Sequence, residues 1–174
     1  MLKDWLMDNF ETYIRPGLEA DDVMGILATT EKVIPGHKII VSTDKDMQTI
    51  PGWLYNRGQD PDGKGEWRYV SRAEADYWHL YQTLVGDSTD NYKGCPNIGD
   101  KRARKLLEPY WLSDMDEFLV GDAWKDIIHA FDSKGLTVDA ALTQARVARI
   151  LRTEDYNFKT KEPILWTPPN NEAA

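Results

Sequence analysis

The stretch "GDSTDNYKGCPNIGDKRARKLL", residues 86–107, sets two carboxylates (Asp87, Asp90), a glycine-punctuated turn and a basic cluster side by side. Between positions 93 and 105 stand five cations, Lys93, Lys101, Arg102, Arg104 and Lys105, against one acid, Asp100. The 174-residue chain as a whole carries a net charge of −8, which argues against a polyanionic partner on average. Segregated charge makes the local sign decisive instead. The pattern predicts a helix ending at Val85, a loop, the turn "GCPNIG" and a second helix from Asp100. Gly99, just before that helix, lets backbone N–H groups approach a phosphate, and a helix N-terminus favours an anion there. Lys93, Gly94, Ile98, Gly99, Lys101, Arg102, Arg104 and Lys105 are therefore candidate DNA-binding residues. Such a helix–hairpin–helix grips phosphates and ignores base sequence. The plainer alternative is a helical hairpin with a solvated basic face.

Working outward, "KIIVST" at 38–43 is a short apolar run, the pattern of a strand covered on both faces in a helix-flanked sheet. Upstream, amphipathic helices are predicted over 2–14 and 20–31, the second burying Val23, Met24, Ile26 and Leu27. Residues 53–70 read as a hairpin with "DPDGKG" at its tip. Ser71 and Glu74 suggest a capping box opening a helix over 73–85. Further helices are predicted at 100–108, 115–131 and 138–151, and a frayed tail after Asn157. Three regions follow: an α/β core at 1–72, a helical subdomain at 73–166 with the hairpin at 73–108, and a tail at 167–174. The tryptophans at 53, 67, 78, 111, 124 and 166 read as core or edge packing, and His79 as structural. No apolar run approaches the roughly 18–20 residues of a membrane span. The polar N-terminus is no signal peptide, and the single Cys95 excludes a disulfide or cysteine-zinc framework, so a cytoplasmic setting is expected.

Three acidic groups remain: Glu19, Asp21 and Asp22 in "LEADD", Asp44 and Asp46 in "STDKD", and Asp87 and Asp90 in "GDSTD". Each has an ordinary reading as helix-end or turn chemistry. Their placement adds another. Asp44 and Asp46 follow a strand directly, where ligand sites of open α/β sheets lie. Carboxylates brought together need cations. An all-oxygen donor set selects hard ions, magnesium or manganese, and a pair of these is the standard device for phosphodiester hydrolysis.

Together, "LEADDVMG" (18–25), "STDKDMQTI" (42–50) and the opening stretch resemble the flap-endonuclease superfamily of 5′-nucleases, in particular the 5′→3′ exonucleases of T7-like phages. "QARVARILRTEDYNF" (144–158) resembles the C-terminal region of those enzymes. The resemblance implies a PIN/5′-nuclease-like sheet flanked by helices, with a helix–three-turn–helix subdomain. It assigns Glu19, Asp21 and Asp22 to one metal site and Asp44, Asp46, Asp87 and Asp90 to the other, as catalytic ligands of two Mg²⁺ or Mn²⁺ ions. A potassium ion at the 94–99 turn is also implied. The expected activity is 5′→3′ hydrolysis of DNA in phage replication or degradation, in the host cytoplasm. The partners would be duplex 5′ ends, flaps and RNA–DNA hybrids. The family's N-terminal metal-binding strands and basic arch have no counterpart before Glu19. The expectation is thus an N-terminally truncated member, and the alternatives are a non-catalytic DNA-binding fragment or one part of a split nuclease completed by a separate polypeptide.

Overall fold

The computed structural model describes residues 1–58 and 65–169. In chain order these form α1 (Leu2–Asn9), α2 (Ala20–Thr29), β1 (Ile39–Val41), a 3₁₀ turn (Lys45–Thr49), β2 (Gly52–Asn56), β3 (Glu66–Val70), α3 (Arg72–Val85) and α4 (Asp100–Leu107). After them come β4 (Trp111–Leu112), β5 (Glu117–Phe118), α5 (Val120–Asp132), α6 (Val138–Val147), a 3₁₀ turn (Thr153–Asp155), β6 (Tyr156–Asn157) and β7 (Glu162–Pro163). No helix among the described residues is long and apolar enough to cross a membrane.

The sheet is mixed, in the order β1-β2-β3, parallel between β1 and β2 and antiparallel across the hairpin. Its register puts Ile40, Leu54 and Arg68 in one row, facing a small core of Ile40, Met47, Ile50, Leu54 and Ile150. The alternate rows, Ile39–Trp53–Tyr69 and Val41–Tyr55–Trp67, share the opposite face. Most of that face is open, with Val41 62% and Trp67 58% exposed. The expectation of a strand covered on both faces is therefore wrong: β1 alternates exposed–buried–exposed. Run composition alone cannot report how many layers a sheet receives. Trp53 and Trp67 sit on that open face, packed on each other and on Tyr69 and Tyr55, the edge packing the sequence reading allowed.

The helical half closes on itself. Leu80 and Leu84 of α3, Ala103 and Leu107 of α4, Ala123, Ile127 and Phe131 of α5, and Ala141 and Ala145 of α6 are buried together. His79 is fully buried with Nε2 2.8 Å from the Ala145 carbonyl, a structural position as expected. Trp166 packs edge-to-face on His79 and Trp124, so the chain is anchored well past Asn157 instead of fraying there.

Four helix boundaries differ from expectation. The first helix stops at Asn9 and buries nothing, since its apolar stripe meets no second layer. The second ends at Thr29, with Gly25 and Ile26 as its buried residues while Val23, Met24 and Leu27 are partly covered. A Cβ at Gly25 would lie 2.3 Å from the Leu151 carbonyl, so this helix and the 150–151 backbone touch only because the residue is glycine. The helix predicted at 115–131 begins at Val120, because 111–118 form the β4–β5 pair. The one predicted at 138–151 ends at Val147, where the chain turns to reach the sheet half. Ser71 caps α3 through the Glu74 N–H at 3.1 Å, but the Glu74 carboxylate pairs with Arg68 instead of completing the box. Most of the "DPDGKG" hairpin tip lies outside the described residues.

Candidate metal centre and nucleic-acid interface

The three acidic segments, distant in sequence, meet at one cavity. It holds about 540 Å³ and is lined by Glu19, Asp21, Asp22, Asp44, Asp46 and Asp90 from those segments. Asp87 joins through the cluster Asp46–Asp87–Asp90, in which one carboxylate oxygen from each lies within 4.8 Å of the others. All seven acids singled out in the sequence are thus brought to one region.

Local chemistry explains how each is held. Glu19 is the N-cap of α2 in a capping box with Asp22, the ordinary reading of this acidic group. The second oxygen of Asp22 accepts the Leu151 N–H at 3.0 Å, which ties the helix start to the C-terminal segment. Burial raises the Asp22 carboxyl above its usual range. Asp44 caps the 3₁₀ turn by accepting the Asp46 N–H at 2.9 Å. Asp87 accepts the Thr89 N–H at 2.7 Å inside a loop closed by the Asp87–Tyr92 bridge. That loop needs two glycines back to back: a Cβ on Gly86 would lie 2.4 Å from the Lys93 carbonyl carbon, and one on Gly94 would lie 2.5 Å from the Gly86 nitrogen.

The electrostatics are uneven. Burial, and then the Asp44 charge, push the Asp46 carboxyl up to about 6. Asp87 moves the other way, because the Lys45 ammonium hydrogen-bonds it at 2.6 Å and the Thr89 N–H adds to the effect. One carboxyl is thus short of positive charge while its neighbour already has some, an environment a hard cation would relieve. Oxygen-only donors at this spacing fit a divalent ion of the magnesium or manganese kind.

Sequence reasoning missed four contributors. Lys45 lies between two recognised acids and is the counter-charge of Asp87, a role its own neighbours do not mark. Gln82 of α3 donates Nε2 to Asp46, and Tyr92 lines the cavity. Arg146 of α6 lines it too, donating Nε to the Trp166 carbonyl at 3.1 Å. The i, i+3 and i, i+7 positions of Gln82 relative to His79 and Ala75, both buried, were a readable signal that it faces inward. Arg146 carried no such signal.

Of the hairpin residues, Lys93, Gly99, Lys101, Arg102 and Lys105 are exposed, and Ile98 is half-buried. Gly99 is the N-cap of α4 with no atom within 4 Å of a would-be Cβ, so the approach to this helix start is open. Three residues already have partners. Arg102 donates Nη1 to the Asn97 carbonyl of the turn at 2.7 Å. The Gly94 N–H donates to Gln144 Oε1 at 2.8 Å, and Arg104 pairs with Asp100 at 2.6 Å and lies over the rings of Trp78 and Tyr81.

No family model matches the chain. Individual proteins do. An exodeoxyribonuclease of Enterobacteria phage T3 is 33% identical across 92% of this chain and 59% of its own length. An exonuclease of Escherichia phage T7 is 32% identical across 95% of this chain and 61% of its own. A solved structure of a T5 5′-exonuclease mutant superposes with a TM-score of 0.59 over 84% of this chain and 62% of that one, at 17% identity. Nearly the whole chain is thus similar to phage 5′-nucleases in sequence, and most of it to one in fold. Its α/β fold is that of the T5 enzyme. This 5′-nuclease relative spans about three-fifths of the length of the phage proteins it matches.

Proposed function

We propose that this 5′-nuclease relative binds two divalent ions at its carboxylate cavity and DNA backbone at α4, as the metal-holding part of a 5′→3′ exonuclease or flap nuclease of phage DNA replication or degradation. The observation that carries this is the convergence of acids from three separate segments on one 540 Å³ cavity. Glu19, Asp21 and Asp22 would serve one ion, and Asp44, Asp46, Asp87 and Asp90 the other. Magnesium or manganese held by these carboxylates would supply water activation and charge stabilisation at a leaving oxygen. The chain's own groups do the rest. Gln82 orients Asp46, Lys45 balances Asp87, and Arg146 offers a cation on the cavity wall. Lys93, Lys101, Arg102 and Lys105 with the open α4 start would hold phosphates, with Gly94 and Ile98 shaping the turn and Arg104 set beside it. A potassium ion at the 94–99 turn would draw on backbone carbonyls.

The test uses a 5′-labelled duplex and a 5′-flap substrate with magnesium or manganese. Short labelled products are expected, lost in Asp44→Asn and Asp87→Asn while DNA retention persists. Cleavage unchanged by both variants rejects the proposal.

A second reading is one part of a split nuclease, inert alone and completed by a separate polypeptide. The open apolar sheet face favours it, since a layer of protein there would bury Ile39, Val41, Trp53, Trp67 and Tyr69. About two-fifths of each phage relative's own length lies outside the match and could supply such a layer. Metal-dependent turnover by this chain alone, sensitive to Asp87→Asn, excludes it.

A further inference from the structure

Away from the carboxylates, α3 and α4 enclose a second cavity of about 660 Å³, lined by Glu74, Tyr77, Trp78, Arg104, Glu108 and Trp111. Tyr77 and Trp111 rest on the helical core and meet edge-to-face at 5.8 Å. Trp78 differs: it is half-buried and does not number among the side chains packed on that core. Neighbouring rings hold it instead, Tyr77 at 5.4 Å and Tyr81 at 5.1 Å. The Arg104 guanidinium sits 5.3 Å from the Trp78 ring centroid and 5.2 Å from that of Tyr81. A flat conjugated cation already rests on these rings, and Asp100 fixes it there.

We propose that this cleft receives an unpaired nucleobase, stacked on Trp78 beside Arg104, from a DNA strand whose phosphates run along α4. This rests on reading α4 as the backbone grip. Unstacked bases are held on aromatic faces and guanidinium planes, which is the furniture of this cavity. Its volume lies in the range of small-ligand sites. Lys101 is one helical turn from Arg104, so a phosphate held by the first places its base near the second. Glu74 is neutralised by Arg68, while the exposed Glu108 carboxylate repels phosphate and accepts from amino-bearing base edges. A paired base cannot enter, so the cleft makes the protein prefer strands with an unpaired nucleotide over blunt duplex.

The experiment is a titration of the full chain, with EDTA and no divalent ion, against a DNA hairpin that is blunt or carries a short single-stranded tail. Affinity and tryptophan emission are the readouts. The wild type is expected to favour the tailed hairpin, and Trp78→Ala to reduce its affinity about five- to a hundredfold while leaving blunt binding unchanged. Trp78→Tyr, which keeps a stacking ring, should retain most of the preference and guards against a folding defect. A tail preference unaltered in Trp78→Ala overturns the proposal. Lys101→Ala with Lys105→Ala should weaken both hairpins equally and flatten the salt dependence. If they do not, the backbone-grip reading fails separately, and a short single-stranded oligonucleotide then decides the cleft. Quenching lost in Trp78→Tyr or Trp78→Ala supports the cleft, and absence of any Trp78-dependent quenching overturns it.

Discussion

The helical half and the sheet half are built to different standards. Among the described residues, thirteen buried side chains fill the helical core and five fill the core under the sheet, so most of the burial that stabilises this chain lies after Val70. One of the five, Ile150, comes from the far end of the chain. The sheet half is held mainly by polar clamps from the same segment. The fully buried Arg152 donates Nε and Nη2 to the Thr49 carbonyl at 3.2 and 2.8 Å, and Nη1 to Asp76 at 2.6 Å. The Leu151 N–H goes to Asp22, and that of Thr153 to Thr29. The carboxylate cavity lies on this seam. Its acids come from both halves, and the 149–155 segment keeps the halves aligned.

If that contrast is right, Arg152→Met is the most damaging change proposed, destabilising by about 3–5 kcal/mol because Asp76 and Thr49 lose their buried partner. Denaturant unfolding measures it, and a cost below about 1 kcal/mol would break the picture of a polar clamp. Trp124→Ala, in the helical core, should approach the same size through its cavity, about 3–5 kcal/mol. Next comes metal. Magnesium or manganese at about a hundredfold excess over its dissociation constant should stabilise the wild type by about 2.7 kcal/mol in thermal melts. Asp46→Asn should lose most of that gain, and an equal gain in the variant would remove Asp46 from the proposed ligands. Gly25→Ala should cost about 1–3 kcal/mol by pushing α2 off the 150–151 backbone, and should loosen the cavity with it. The smallest effect belongs to Trp67→Ser on the open sheet face, expected within about 0.5 kcal/mol. Set beside Trp124→Ala, it compares the same residue type in the two halves. A large cost at Trp67 would show that the face is covered in solution.

Much of the site was legible in the primary structure. Short-range rules place Glu19 at a helix start, Asp44 after a strand and Gly99 before α4, and each is found there because caps and turns depend on neighbouring residues alone. The errors share a cause. The strand expected at 38–43 and the helices expected at 2–14, 115–131 and 138–151 rest on apolar spacing, which reports a periodic face but not what arrives to cover it or where tertiary contacts stop the helix. Lys45 was hidden because its role depends on a loop forty-two residues later, and Arg146 because nothing nearby marks it.

By itself, then, the amino-acid order settled which segments carry acids, which carry cations, and where the starts at Glu19, Asp44 and Gly99 lie, since capping and turn chemistry act over a few residues. Only folding in three dimensions decided that the acids share a cavity, that Asp46 and Asp87 are pushed in opposite directions, and that Arg104 lies over two rings at the mouth of a cleft. Those outcomes depend on distances between residues far apart in the chain, and on the burial that strengthens every charge interaction there.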